Sequence, residues 1–250
     1  MPAVRVIEDA HLRADGPSPP ARPFVNGLFH WLAEDYDRAV LTYSLGQDLR
    51  WKSTLIKTIR PRSGDRALDL ACGTGLIMER LGRELGDPAI VGMDINRTML
   101  LKARGYGRDR KLIQGDAESI PLADASFDIV TAGYLPKYVE LDRFAREVAR
   151  VLRPGGRFAS YDFSRPLHAT LAGRAYSLYL HRVLPGVASG FSNGDSSWRT
   201  LFEFLAHMAE TSEWETRIVA ALEGAGFRSI QMVPSLGGAV TWVWAVRRGR

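Results

Sequence analysis

The sequence has almost no cysteine and no long hydrophobic run. Cys72 is the single cysteine in 250 residues. This excludes an intramolecular disulfide and leaves no cysteine cluster for a metal, and we expect no redox role for Cys72. No apolar run approaches the roughly 20 residues that a membrane-spanning helix needs. Residues 1–23 are rich in proline and charge and lack the apolar segment and cleavage site of a secretory signal. We therefore predict a cytoplasmic protein with a disordered leader over residues 1–23.

The chain also lacks a dense basic segment and any nucleic-acid-binding motif. Lysine and arginine number 33 against 28 acidic residues, a net charge of +5, and they cluster only in the terminal RRGR. We therefore expect no nucleic-acid partner. The positive surplus is typical of a solvated arginine-rich surface and is also compatible with a peripheral contact with an anionic membrane. The oligomeric state stays open.

Short apolar runs alternate with helical stretches over residues 61–164. This alternation predicts an α/β fold with a doubly wound sheet. Residues 24–60 have helical spacing and are expected to form N-terminal helices that contribute to a lid. Residues 165–212 interrupt the alternation with prolines, glycines and many aromatics, which predicts a helical insertion after the fifth strand that covers the substrate. Residues 213–250 read as a core helix followed by two strands that form a hairpin.

The segment LDLACGTG, residues 68–75, places very small side chains directly after the first predicted strand. A loop that opens a helix has free backbone N–H groups, and glycine allows a ligand to approach them closely. Gly73 and Gly75 therefore indicate a nucleotide-like ligand. The dinucleotide-binding fingerprint requires a third glycine where Met78 stands, which argues against NAD and FAD.

Two acidic residues end the next strands. Asp94, in VGMDIN, lies about twenty residues after the glycine loop, where a carboxylate accepts ribose hydroxyls. Asp116, in QGDAESIPL, follows the third strand and can accept a hydrogen bond from the amine of adenine. Ile95 and Met99 are placed to flank the adenine ring.

The segments LDLACGTG, GMDIN, QGDAESIPLADASFDIV and VLRPGGR occur in this order and resemble the class I S-adenosylmethionine-dependent methyltransferases. The resemblance implies a Rossmann-like seven-stranded sheet whose last two strands form a hairpin, S-adenosylmethionine as cofactor, and no metal. It also implies that Asp94 holds the ribose and that Asp116 and Ala117 hold the adenine. The residues implied for the methionyl part are Asp69, Ala71, Cys72, Gly73, Thr74 and Gly75.

The flanking segments AEDYDRAVLTYSLGQDLRWKS, SYDFSRP, HRVLPGVA and ALEGAGF extend the likeness over residues 31–230. They resemble the UbiE-type ubiquinone/menaquinone C-methyltransferases, which implies methylation of a ring carbon of a quinol or phenol. In GYLPKYV, Lys137 and Tyr138 stand where that family has an Arg-Asn pair. This difference is compatible with a small apolar acceptor other than the quinol of that family. The alternatives are N- or O-methylation of a phospholipid or other small molecule, and a non-methylating reaction such as cyclisation.

Methylation of a phenol carbon is favoured when the hydroxyl loses its proton, so a base or a cation near the oxygen is expected. The main catalytic candidates are Lys137, Tyr36, Tyr134 and His181. His168 and Tyr138 are further candidates. Each has an alternative interpretation without a catalytic role: the lysine as a surface residue, the tyrosines as parts of a cavity wall and the histidines as structural groups.

Overall fold

The computed structural model of the protein describes residues 19–86, 89–106, 111–187 and 197–249, apart from the side chains of Tyr106, Ser197 and Thr200. The predicted leader lies largely outside this part of the chain. Within it, no helix combines the length and the apolar character needed to cross a membrane.

Seven strands form one mixed sheet in the order β3-β2-β1-β4-β5-β7-β6. The first five strands pair in parallel, and β7 runs antiparallel between β5 and β6. This confirms the predicted doubly wound α/β sheet with a terminal hairpin. The strands are β1 (Ala67–Leu70), β2 (Ile90–Asp94), β3 (Lys111–Gln114), β4 (Phe127–Gly133), β5 (Leu152–Phe163), β6 (Phe227–Ser235) and β7 (Val240–Arg247).

Helices surround this sheet, precede it at the N-terminus and occur in the described parts of the segment after β5, as predicted. A π-helical turn, Tyr179–Val183, joins two helices of the insertion, and 3-10 turns occur at Arg104–Tyr106, Pro136–Tyr138 and Leu236–Gly238. The α-helices described are α1 (Arg22–Leu32), α2 (Tyr36–Tyr43), α3 (Asp48–Ile59), α4 (Leu76–Leu85), α5 (Arg97–Ala103), α6 (Leu141–Val151), α7 (Leu171–Leu178), α8 (Leu184–Val187), α9 (Ser197–Thr211) and α10 (Trp214–Gly224).

The core lies in two layers, one on each face of the sheet. On one face, buried side chains such as Phe144 of α6 and Ile218 of α10 pack against the strands. On the other, Leu55 of α3, Met78 of α4 and Phe202 of α9 belong to a second cluster. Because the central strands are buried on both sides, β1 reads as a continuous apolar run interrupted only by Asp69.

Strand β5 begins earlier than its sequence pattern suggests. The run GRFASYDF predicts a start at Gly156, whereas the strand begins at Leu152, which pairs with Phe127. The register shifts before the next pair, Ile129 with Arg157. An irregularity of this kind absorbs extra residues without breaking the ladder, which explains why a PGG segment is part of a strand.

The strand order reverses between β1 and β4, and the carboxyl ends of the parallel strands meet at one edge. In open α/β sheets, ligands bind in the crevice at this edge. The loops after β1, β2 and β4 meet there, and α1 and α2 lie over them.

Candidate active site

The loop after β1 is shaped by its two glycines. Gly75 has φ +88°, and a Cβ atom there would lie 3.2 Å from the Cβ of Ala103, so this glycine allows α5 to pack closely. Gly73 has φ +54°, and a Cβ atom there would meet nothing nearer than the Tyr36 ring, at 3.8 Å. Gly75 therefore serves packing, whereas Gly73 faces a cavity.

Asp94 at the end of β2 organises the neighbouring loops. Its Oδ2 accepts a hydrogen bond of 2.9 Å from the Gly73 N–H, and its Oδ1 accepts one of 2.8 Å from the Asn96 N–H. Burial raises the pKa of Asp94 to about 6, although these backbone bonds oppose the shift. A carboxylate that is ionised at neutral pH thus lies at the cavity edge.

Asp69 lies beneath the loop and outside the cavity walls. Its Oδ1 accepts a 2.7 Å hydrogen bond from the Thr131 hydroxyl. Its Oδ2 is buried and has no hydrogen-bond partner among the described residues. Burial raises the pKa of Asp69 to about 7. One acceptor oxygen is therefore left free under the glycine loop.

Two cavities of about 470 Å³ each, counted with the solvent space at their mouths, follow this edge of the sheet. They adjoin, because both are lined by Ala71, Asp94 and Ile95. Asp116 and Ala117 line only the outer cavity, which we call the outer cofactor cavity. Gly73 and Met99 line only the other, the inner cofactor cavity.

The remaining residues predicted for the cofactor support the loop from behind. Cys72 is buried, and its N–H donates to the Met93 carbonyl at 3.0 Å. The Thr74 hydroxyl donates to Asp37 at 2.7 Å, which ties α2 to the glycine loop.

Helix α1 lies over the cofactor cavities and begins at Arg22, two residues earlier than the N-terminal helices predicted from the sequence. Arg22, which falls in the predicted leader, forms ion pairs with Asp116 and Glu118 at the outer cavity. The Asn96 side chain donates to Asn26 at 2.8 Å. His30 Nδ1 lies 2.7 Å from the Thr98 hydroxyl. These contacts hold α1 against the loops of the sheet.

A third cavity of about 500 Å³ is largely apolar, and we call it the apolar cavity. It adjoins the inner cofactor cavity, because Phe29, Tyr36, Tyr134 and Tyr138 line both. The residues lining the apolar cavity are Leu28, Phe29, Leu32, Tyr36, Ala39, Val40, Tyr43, Tyr134, Lys137, Tyr138, Phe163 and Leu205.

Lys137 is a buried wall residue of the apolar cavity rather than a surface lysine. It is 6% exposed, and its Nζ forms an ion pair with Asp162, which is fully buried. The Nζ lies 5.1 Å from the Tyr138 ring centroid and 5.4 Å from that of Phe163. The Phe163 N–H donates to Asp162 at 2.8 Å. The sequence motif SYDFSRP contains Asp162 but gave no signal of this pairing.

Tyr134 follows β4 with φ +58°, a left-handed conformation that is uncommon for a tyrosine. Its hydroxyl donates to Asp48 at 2.8 Å, and Asp48 forms a buried ion pair with Lys52. Burial and the charge of Asp48 raise the pKa of Tyr134 well above its usual value. Burial does the same to the pKa of Tyr36. Both tyrosines are therefore neutral at physiological pH.

The histidine candidates lie away from the three cavities. His181, in the π-helical turn, is exposed, and its Nε2 lies 2.7 Å from Glu210 Oε1. The same turn directs Leu180 into the core. His168 is exposed on the segment that precedes α7. The structure thus groups Lys137, Tyr36 and Tyr134 and leaves both histidines apart.

The sheet order, the glycine loop and the acidic strand ends define a class I S-adenosylmethionine-dependent methyltransferase. Residues 19–247 match the model of the ubiE/COQ5 methyltransferase family, and the chain belongs to that family. The UbiE ubiquinone/menaquinone biosynthesis C-methyltransferase of Shewanella halifaxensis is 32% identical over 86% of this chain and 87% of its own. The demethylmenaquinone methyltransferase of Mycolicibacterium vanbaalenii is 34% identical over 86% and 91%.

Solved structures with lower sequence identity share the fold. The cyclase SpnF has a TM-score of 0.64 at 16% identity, over 95% of this chain and 100% of that chain. An S-adenosylmethionine-dependent methyltransferase from Aquifex aeolicus has a TM-score of 0.54 at 19% identity, over 78% and 88%. At such identities the likeness shows the fold alone.

Proposed function

We propose that this methyltransferase acts on a ring carbon of a quinol or phenol bound in the apolar cavity. The observation that carries the proposal is that this cavity adjoins the inner cofactor cavity and shares four aromatic lining residues with it. An aromatic acceptor in the apolar cavity would lie next to the cofactor. The relatives from Shewanella halifaxensis and Mycolicibacterium vanbaalenii are named as quinone-biosynthesis methyltransferases, which supports a quinone-type acceptor.

The residues at the cofactor cavities fit S-adenosylmethionine. The open space at Gly73 and the carboxylate of Asp94 match a ligand that brings hydroxyl donors. We propose that Asp94 holds the ribose, that Asp116 and Ala117 face the adenine, and that the loop after β1, with Asp69 buried beneath it, holds the methionyl part. The bound cofactor supplies a methyl group on a positively charged sulfur.

Lys137 is proposed to stabilise the negative charge that develops on the acceptor oxygen. Its ammonium lies in a wall that is otherwise apolar or aromatic, and a charge acts more strongly where water is excluded. Asp162 keeps the ammonium in place through their ion pair. A lysine acts here as a point charge, without the two-pronged geometry of an arginine.

Tyr36 and Tyr134 are proposed to align the acceptor with the cofactor, since both line the apolar cavity and the inner cofactor cavity. Their raised pKa values keep the hydroxyls protonated, so neither acts as a tyrosinate base. The Tyr134 hydroxyl is already bonded to Asp48, which fixes the ring as a wall. Alignment and exclusion of water are the main requirements of methyl transfer.

The helices around the cavities are proposed to act as lids. Helix α1 supplies Phe29 to the inner cofactor cavity and to the apolar cavity. Helix α9 of the insertion supplies Leu205 to the apolar cavity. The domain division, with segments that begin at residues 61, 165 and 213, stays a prediction from the sequence. The cytoplasmic location also stays a prediction.

A peripheral membrane contact is also part of the proposal. Leu171 and Leu178 on α7 are 77% and 61% exposed, and the exposed Arg174 lies between them. Apolar side chains beside a basic residue suit an anionic lipid surface. We expect the protein to sediment with anionic vesicles and the Leu171→Ser/Leu178→Ser variant to do so less. Equal sedimentation of both proteins would contradict the contact.

The acceptor class is tested by incubating the protein with labelled S-adenosylmethionine and separate hydroquinones, phenols and phospholipids. We expect label on a hydroquinone or phenol, in a product whose methyl group resists the acid treatment that cleaves ethers. Label on a phospholipid, an ether product or an unlabelled rearranged product would instead support one of the alternatives named above.

A further inference from the structure

The wall that the apolar cavity shares with the inner cofactor cavity consists of aromatic side chains. Asp94 lines only the inner cofactor cavity of these two and Lys137 lines only the apolar cavity, and no charged side chain among the described residues lines both. The residues that line both cavities are Phe29, Tyr36, Tyr134 and Tyr138. A ligand that reaches the boundary between the two cavities therefore meets aromatic rings.

The charge of the cofactor belongs at this boundary. Methyl transfer requires the sulfur, the methyl group and the accepting atom to be in line and close together. With the acceptor in the apolar cavity, the sulfur that carries the methyl group has its place where the two cavities adjoin. This sulfur is positively charged in S-adenosylmethionine and neutral in the product S-adenosylhomocysteine, so the aromatic boundary meets a cation only before transfer.

Phe29 of α1 and Tyr36 of α2 contribute accessible rings to the boundary. Both side chains are only partly buried. Their ring centroids lie 6.0 Å apart at an interplanar angle of 64°, and the Phe29 ring also packs edge-on against Tyr138 with centroids 5.5 Å apart. Such packing fixes the orientation of the rings, and the negative face of an aromatic ring attracts a cation.

The Tyr36 ring is held against the glycine loop. A Cβ atom at Gly73 would lie 3.8 Å from the Tyr36 ring. The neighbouring Asp37 accepts a 2.7 Å hydrogen bond from the Thr74 hydroxyl, which ties the first turn of α2 to this loop. The ring therefore lies beside the backbone proposed to hold the methionyl part, to which the charged sulfur belongs.

Phe29 and Tyr36 differ from the other two shared residues in the cations around their rings. The Lys137 ammonium lies 5.9 Å from the ring centroid of Tyr134 and 5.1 Å from that of Tyr138. Among the described residues, no lysine or arginine makes such a contact with Phe29 or Tyr36. These two rings are therefore available to the charge of a ligand.

We infer that Phe29 and Tyr36 bind the positively charged sulfur of the cofactor through cation–π interactions and thereby distinguish S-adenosylmethionine from its neutral product. This inference rests on the proposed location of the acceptor in the apolar cavity. The two rings strengthen binding of the charged cofactor and leave the affinity for S-adenosylhomocysteine unaffected, so they assist the exchange of product for a new cofactor.

The test measures the Kd of S-adenosylmethionine and of S-adenosylhomocysteine by titration calorimetry, without an acceptor. Phe29→Leu and Tyr36→Leu each remove a ring and keep an apolar side chain. We expect each variant to weaken binding of S-adenosylmethionine about five-fold, the effect of one partly desolvated cation–π interaction, and to leave that of S-adenosylhomocysteine nearly unchanged. Both values come from the same folded sample, so a loss of stability does not imitate the change in their ratio.

Two matched variants serve as controls. Tyr36→Phe keeps the ring and removes the hydroxyl, so the ratio of the two Kd values should equal that of wild type. Val25→Ala shortens an aliphatic residue of α1 that lines both cofactor cavities, so any effect should be the same for the two ligands.

If the leucine variants changed both Kd values by the same factor or changed neither, or if Tyr36→Phe changed the ratio as much as Tyr36→Leu, the inference would be wrong. The proposed function has a separate outcome, since it depends on the acceptor that is methylated. Transfer to a hydroquinone or phenol with no change in the ratio would support the proposed function and overturn the inference. The expected change in the ratio without such transfer would support the role of the two rings and contradict the proposed acceptor.

Discussion

At the scale of single residues, two effects act in opposite directions on the ionisation of Asp94. In its proposed role, the carboxylate accepts hydrogen bonds from ribose hydroxyls most strongly when it is ionised, yet burial favours its neutral form. The N–H groups of Gly73 and Asn96 reduce this conflict by donating to the charged form. The balance leaves the pKa of Asp94 at about 6, which is close to physiological pH.

We predict that cofactor affinity falls as the pH is lowered through about 6, where Asp94 gains a proton in the free protein. Asp94→Asn should weaken binding ten- to a hundred-fold, for a lost charged hydrogen bond of roughly 1.5–3 kcal/mol, and should flatten this pH dependence. Titration calorimetry from pH 5 to pH 8 measures both effects. The same pH profile in wild type and variant would show that another group is responsible.

Lys137 illustrates how the structure changes the design of a mutation. Its buried ion pair with Asp162 means that removing the lysine alone leaves a buried, unpaired carboxylate. Loss of one partner of such a pair typically costs about 3–5 kcal/mol of stability. A fall in activity of Lys137→Met would therefore mix loss of charge with loss of folding.

The double variant Lys137→Met/Asp162→Asn separates these effects because it removes both charges. We expect Lys137→Met to unfold at clearly lower denaturant concentration than wild type and the double variant to regain most of the difference. Both should lower kcat about ten-fold or more while cofactor affinity stays nearly unchanged. A double variant with wild-type kcat would mean that the cavity acts by positioning alone.

At the scale of elements, the packing of α4 on β2 explains why the loop does not need a third glycine. Met78 occupies the place of that glycine and is fully buried. A Cβ atom at Gly92 would lie 2.2 Å from the Met78 sulfur. The close approach of helix and sheet is therefore achieved by a glycine in the strand.

Helix α1 lies over the cofactor cavities, and Arg22 ties its first turn to the outer cofactor cavity. Its ion pairs with Asp116 and Glu118 are partly exposed, so they contribute little to stability and are screened by salt. We predict that Arg22→Gln speeds cofactor dissociation a few-fold at low ionic strength and that high salt removes the difference. Stopped-flow displacement measures this rate.

Arg83→Gln is a suitable control for this prediction. Arg83 also forms an exposed ion pair, with Glu79 on α4, and it lines none of the three cavities. The Arg83→Gln variant should release the cofactor at the same rate as wild type. If Arg22→Gln released the cofactor no faster than this control, Arg22 would not hold the lid.

Contacts between elements also mark what the sequence could predict. The loop after β1 and the positions of Asp94 and Asp116 follow from strand ends and glycines, which are local signals. The Tyr134–Asp48 bond joins residues 86 positions apart, and the Lys137–Asp162 pair joins residues 25 apart. Pairings of this kind depend on how elements pack, and a single sequence carries no local pattern for them.

At the scale of the whole molecule, several buried carboxyl groups share one direction of shift. Burial raises the pKa of Asp69, Asp94, Asp162 and Glu215 above the usual range. Glu147, which Arg150 holds in its charged form, is shifted in the opposite direction. With a raised pKa, the folded state retains a proton that the unfolded chain has already released. The free energy of unfolding therefore decreases as the pH rises from about 4 to the folded pKa.

Asp69 gives the clearest case because burial raises its pKa to about 7, against the opposing effects of the Thr131 hydrogen bond and the charge of Lys52. Between pH 6 and pH 8 its ionisation should remove about 1 kcal/mol of stability. We therefore predict that the cofactor-free protein melts about 2–4 °C higher at pH 6 than at pH 8. Asp69→Asn cannot ionise, so its Tm should differ less between the two pH values, and comparison with wild type isolates Asp69 from the histidines and other carboxyl groups. Differential scanning calorimetry at both pH values measures the difference. If wild type had the same Tm at both pH values, or if Asp69→Asn showed the same pH dependence as wild type, burial of Asp69 would not be the cause of the predicted loss of stability.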